Sequence, residues 1–202
     1  MRLRLGVAVV VLIAAAGCAS APTLTPPTTP SPTPIARPAS TPTPSASTSA
    51  PVSAVTVDRS LLDLLPPDVN GFAITESPEA ETSAAQSSEL SPVATAFAAG
   101  LAADPAGRNW AFGVVVALRP GVMSDGNFRA WRDSYDKGAC SQAGGVVGHA
   151  ETKIGTRLTY ITACSGGVHP YHVWLPERQR LVSVSAVGEQ RFGEQMIAGI
   201  RD

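Results

Sequence analysis

Between residues 19 and 57 the chain carries ten of its 18 prolines, interleaved with Thr, Ser and Ala. Proline has no amide hydrogen and fixes φ, so this density excludes both helix and sheet. The segment also has too few large apolar side chains to offset the entropy of ordering it. It reads as a disordered, semi-stiff spacer with polyproline II character. At about 3.1 Å per residue it would span on the order of 120 Å when fully extended. A packed fold is thereby confined to residues 58–202, enough chain for one ordinary domain and too little for two.

Charge divides at the same place. All 16 acidic residues lie at or beyond Asp58, against twelve of the 15 basic ones, so residues 58–202 carry a net charge of −4. A nucleic-acid partner needs clustered Lys and Arg to neutralise phosphates, and no such cluster occurs. No nucleic acid is expected as a partner.

The first 17 residues have their own pattern. Arg2 and Arg4 precede the apolar run Leu5 to Ala16, and the small residues Ala15, Ala16 and Gly17 precede Cys18. A run of about 12 apolar residues makes a helix of roughly 18 Å, too short for a hydrocarbon core of about 30 Å. It reads as a signal-peptide core rather than a permanent span. The ending Ala15-Ala16-Gly17-Cys18 resembles the lipobox of bacterial lipoproteins, with Ala15 where that family prefers Leu. The resemblance covers only the first 18 or so residues. It implies lipidation of the Cys18 thiol, cleavage just before it, and attachment to the outer side of the cell membrane. Residues 1–17 are then signal peptide, 18–57 a lipidated tether, and 58–202 the folded domain.

Of three cysteines, lipidation of Cys18 leaves Cys140 and Cys164. An even pair in an exported protein is expected to form a disulfide, the alternative being two buried free thiols.

The remaining chain reads as α+β, a mainly antiparallel sheet of about five to six strands with helices packed on it. Ser60 to Leu65 forms an apolar turn stopped by Pro66-Pro67, and Gly71 to Thr75 a brief strand. Helices are expected over Pro78 to Glu89 and Pro92 to Ala103, the second with Val93, Ala96, Phe97 and Leu101 on one stripe. Trp110 to Leu118 is apolar almost throughout and reads as a central strand. The best-marked helix starts at Ser124 or Asp125, carries Phe128, Trp131 and Tyr135 on one face, and ends at Gly138. Its solvent side offers the i,i+4 pairs Arg129/Asp133, Arg132/Asp136 and Asp133/Lys137. Val146 to Lys153 with Arg157 to Ala163, and Tyr171 to Leu175 with Arg180 to Val187, read as two hairpins. A helix over Gln190 to Ile200 closes the chain.

Candidate chemistry is sparse. Ser134-Tyr135-Asp136-Lys137 matches S-x-x-K, the nucleophile motif of penicillin-recognising enzymes, but the companion S-D-N and K-T-G elements are missing. Ser165 follows Cys164 in a glycine-rich turn and lacks the G-x-S-x-G frame, since Ala163 stands where glycine is required. His149, His169 and His172 have no Cys or carboxylate partners at zinc-like spacing, so neither metal nor cofactor is expected. Trp131, Tyr135, His169 and His172 are candidate ligand contacts, while the helical spacing of the aromatics equally suits a core. The expected function is therefore non-enzymatic: an envelope domain that binds an unidentified ligand or protein partner. The alternative is a small envelope hydrolase using Ser165 or Ser134.

Overall fold

Strand Trp110–Leu118 lies inside the sheet because both its faces are apolar and both its edges are paired. The computed structural model describes residues 54–87 and 90–201. The expected signal peptide, Cys18 and the tether up to residue 53 lie outside the described residues, as does residue 89 at the end of one expected helix.

Ten strands run in chain order: β1 (Thr56–Val57), β2 (Asp68–Val69), β3 (Phe72–Ala73), β4 (Thr75–Glu76), β5 (Ala94–Ala103), β6 (Trp110–Leu118), β7 (Val146–Ile154), β8 (Arg157–Cys164), β9 (His169–Leu175) and β10 (Arg180–Val187). Helices are α1 (Pro78–Ala85), α2 (Asp125–Ser141) and α3 (Phe192–Ala198), with 3-10 turns at Arg59–Leu64 and Pro176–Arg178. The main sheet has eight strands in the order β1-β5-β6-β10-β9-β8-β7, with β4 also on β5. Every pairing is antiparallel except β1 with β5. After β6 the chain crosses the sheet through α2 to the far edge, then returns as the meander β7-β8-β9-β10.

The architecture is α+β as expected, with more strands than the five to six anticipated. The additional pairing comes partly from the two-residue strands β1 and β4, too short to show a period. β1 also revises the tether boundary: Val55 is buried and Thr56–Val57 pairs with Ala96 and Phe97. Residues 54–57 thus belong to the fold.

The largest correction is β5. Residues 92–103 were expected to be helical, yet Ala94–Ala103 is a strand. Alanine favours helix by only tenths of a kcal/mol per residue, a preference that tertiary context overrides. Here β6 has one edge to fill, and β5 pairs with it along its whole length. Small side chains let both faces be covered closely. Gly100 lies opposite Gly113, and a Cβ on Gly100 would sit 2.7 Å from Ile74 Cγ2.

Two cores flank the sheet. One gathers Leu61, Leu65, Val115, Val173, Val182, Val184, Phe192, Met196 and Ile197 beneath α3 and the first 3-10 turn. The other gathers Phe97, Val116, Phe128, Tyr160 and Leu181 beneath α2. Gly113 marks one close approach in the first, since an added Cβ would lie 2.8 Å from Met196 Sδ and 3.2 Å from Leu65 Cδ1. Gly113→Val is expected to overpack this layer and lower stability by about 1–3 kcal/mol in urea unfolding. An unchanged midpoint would contradict this packing.

Candidate functional site

Helix α2 is capped by Ser124, whose side chain accepts from the Asn127 amide at 3.3 Å. It does not stop at Gly138 but continues to Ser141, which puts Cys140 inside its last turn. The Gly144 and Gly145 positions that follow adopt φ of +81° and +90°, and Gly145 N–H closes onto the Cys140 carbonyl at 2.8 Å.

The helix lies along β8 in register. Four helical residues advance about 6 Å, close to the roughly 6.6 Å of two strand residues. Three contacts repeat at that spacing. The Arg132 guanidinium sits 4.8 Å above the Tyr160 ring, Asp136 meets Thr162, and Cys140 is disulfide-bonded to Cys164 with a Cα separation of 5.2 Å. The expected disulfide is therefore present, and it ties the last turn of α2 to the end of β8.

This register buries Asp136, where helical spacing predicts a solvent-side pair with Arg132. Arg132 instead bonds Asp133 at 2.7 Å and approaches Glu151 at 3.8 Å. Among the described residues neither Arg129 nor Lys137 is ion-paired with Asp133. Asp136 Oδ1 lies 2.8 Å from His172 Nε2, and its Oδ2 accepts from the Thr162 hydroxyl. Both Asp136 and His172 are fully buried.

The strands extend the row laterally. His172 is directly opposite Ser183, and His172 Nδ1 lies 2.9 Å from Ser183 Oγ. His149 is directly opposite Thr162, with Nδ1 at 3.0 Å from Thr162 Oγ1. One proton assignment satisfies the whole row. Thr162 gives its proton to Asp136 and accepts from His149 Nδ1–H. His172 donates from Nε2 to Asp136 and accepts from the Ser183 hydroxyl at Nδ1.

Of the four candidate ligand contacts, three meet. Trp131 and Tyr135 each stand edge-on to His172 with centroids 5.2 Å away, and 5.3 Å from each other. They enclose the imidazole between α2 and the sheet, while Phe128 packs on Trp131, Tyr160 and Trp174. Burial raises the Tyr135 phenol above its ordinary pKa, opposed by a hydrogen bond with Ser185 and reinforced by the Asp136 charge. His169, three residues from His172 at the start of β9, falls on the opposite face of the strand and does not join them. Ser134 and Ser165 are exposed, and neither bonds a histidine or lysine among the described residues.

The buried row has the order Asp–His–Ser, which in an accessible setting would activate a hydroxyl. Here Ser183 is only 6% exposed, and its hydroxyl is engaged with His172 Nδ1. The row occupies its own donors and acceptors. Sequence reasoning missed Asp136, Thr162 and Ser183. The available signal was Cys140, since a cysteine bonded to the sheet requires the residue one turn earlier to face it too.

A second feature lies at the surface. An open cleft of about 530 Å³ is lined by Ser60, Leu61, Asp63, Leu64, Arg178, Arg180 and Arg201. It joins three segments distant in sequence: the first 3-10 turn, the β9–β10 loop and the chain after α3. Among the described residues no group of His, Cys, Asp and Glu is arranged to hold a metal ion.

Comparison with protein families, with curated proteins and with solved structures returned no match.

Proposed function

We propose that this chain is an exported bacterial lipoprotein, held at the outer face of the cell membrane through Cys18, whose domain binds a ligand or partner without catalysing a reaction. The observation that carries the binding reading is a contrast between two places. Asp136, His172 and Ser183, the groups suited to proton transfer, satisfy one another beneath α2. The open cleft instead presents arginine side chains to whatever enters it. The Cys140–Cys164 bond supports export, because such bonds persist in oxidising compartments. It also leaves Cys18 as the cysteine available for lipid. Among the described residues no helix is long and apolar enough to cross a membrane.

Cys18→Ser is expected to move the protein from the membrane fraction to the soluble extracytoplasmic fraction and to abolish labelling by a fatty-acid analogue. Stable anchoring requires more than one acyl chain, so loss of the modified cysteine is expected to release nearly all of the protein. A variant that stays membrane-bound, with a wild type that takes no label, would overturn the lipoprotein reading.

A further inference from the structure

We propose that the cleft between the Arg59–Leu64 turn and the β9–β10 loop binds a phosphate ester. The inference rests on the binding-domain reading and names the chemistry of its ligand.

Among the described residues three guanidinium groups, Arg178, Arg180 and Arg201, share this cleft with one carboxylate, Asp63. Convergent like charges repel, and an anion between them relieves the repulsion. Among the described residues the Arg178 and Arg201 side chains have no hydrogen-bond or ion-pair partner. Arg180 is held in place, its Nη1 donating to the carbonyls of Arg178 at 3.0 Å and Gln179 at 3.3 Å. The loop itself is braced. Gln179 adopts a left-handed conformation with φ of 51°, and its Nε2 donates to the Pro176 carbonyl at 2.7 Å.

A carboxylate offers two oxygens, which one arginine fork can saturate, whereas a phosphate has enough acceptors for several forks. The described lining carries a net charge of +2 (three Arg against Asp63), which suits a phosphate. The volume exceeds what a bare ion needs and falls within the range of small-molecule sites. Leu61 and Leu64 line one wall, so the organic part of an ester has apolar surface to cover. Two sources share this chemistry: a phosphoglycerol lipid headgroup, or a soluble phosphate ester of the envelope.

The test uses the full chain carrying Cys18→Ser, titrated calorimetrically with glycerol 3-phosphate and with glycerol. The phosphate ester is expected to bind and glycerol is not, with affinity falling as salt is raised. Arg178→Ala with Arg201→Ala is expected to weaken binding about tenfold or more, since charge-assisted forks are lost. Both side chains are exposed, so an unchanged circular dichroism spectrum and urea midpoint would show that folding is intact. The paired Lys substitutions keep charge without the fork and are expected to fall between.

Sedimentation with phosphatidylglycerol and with phosphatidylcholine vesicles separates the sources. Arginine-dependent binding to the former alone supports the headgroup, and binding of soluble ester without vesicle binding supports the soluble source. No binding of glycerol 3-phosphate or phosphatidylglycerol vesicles, or equal binding by wild type and the Ala variant, overturns the proposal. Fatty-acid labelling at Cys18 is read separately. An anchored chain that ignores phosphate sinks only the cleft, and an unlabelled chain that binds it sinks only the anchor.

Discussion

Asp136→Ala is expected to destabilise the folded domain by about 3–5 kcal/mol, the range for removing one partner from a buried charged network. The carboxylate serves two donors at once, His172 Nε2 and the Thr162 hydroxyl. Alanine leaves both without an acceptor beneath α2, where water does not replace it. Asp136→Asn is expected to cost less. Its carbonyl oxygen can still accept from His172, and its amide can donate to Thr162. Thr162 must then give its proton to His149 Nδ1, which requires the other tautomer of that ring. Urea unfolding of the full chain measures the order wild type, Asn, Ala. A loss below about 1 kcal/mol for alanine would mean that the buried row contributes nothing net to the fold.

Breaking the Cys140–Cys164 bond is expected to cost roughly 3–4 kcal/mol in the chain-entropy model, given 24 residues of sequence separation. The loop it closes contains the end of α2, β7 and most of β8. The bond also lies one helical turn from Asp136 and two strand residues from Thr162, so reduction loosens the contact that seats the carboxylate. Two effects therefore add: a larger unfolded ensemble and a less constrained polar row. Replacing both cysteines with alanine in the Asp136→Ala background is expected to cost less than the separate losses combined, because the sites share a helix face. The exported, unfolded and unreduced chain is expected to show no free thiol at Cys140 or Cys164. Two or more free thiols per molecule would contradict the bond.

The sequence on its own carried those features whose signals are local. The hairpins β7-β8 and β9-β10 were readable because their strands are bounded by turn residues, whereas the pairing of β8 with β9 that joins them into a meander came from the structure. Ile154-Gly155 falls at one turn, and Pro176 to Gln179 at another. The central place of β6 followed from its nearly unbroken apolar run, and the cysteine pairing from an even count once Cys18 was set aside. The aromatic side of α2 came from the helical period alone, and all three of its residues do pack inward.

What tertiary structure decided has a common physical cause: each case depends on a partner far away along the chain. Ala94–Ala103 has a composition that suits a helix, and only the vacant edge of β6 makes it a strand. Asp136 lies at the margin of the helical stripe, where one residue turns the direction by about 100°. Whether it faces water or sheet was set by Thr162 and His172, 26 and 36 residues further on. An i,i+4 pairing with Arg132 was locally sound, but the buried His172 imidazole and Thr162 hydroxyl take the carboxylate, while the Arg132 guanidinium sits over Tyr160 and bonds Asp133. The arginine cleft was invisible for the same reason. Arg178, Arg180 and Arg201 form no run in the sequence, and their convergence on Ser60 and Asp63 exists only because α3 and the first 3-10 turn share one face of the sheet.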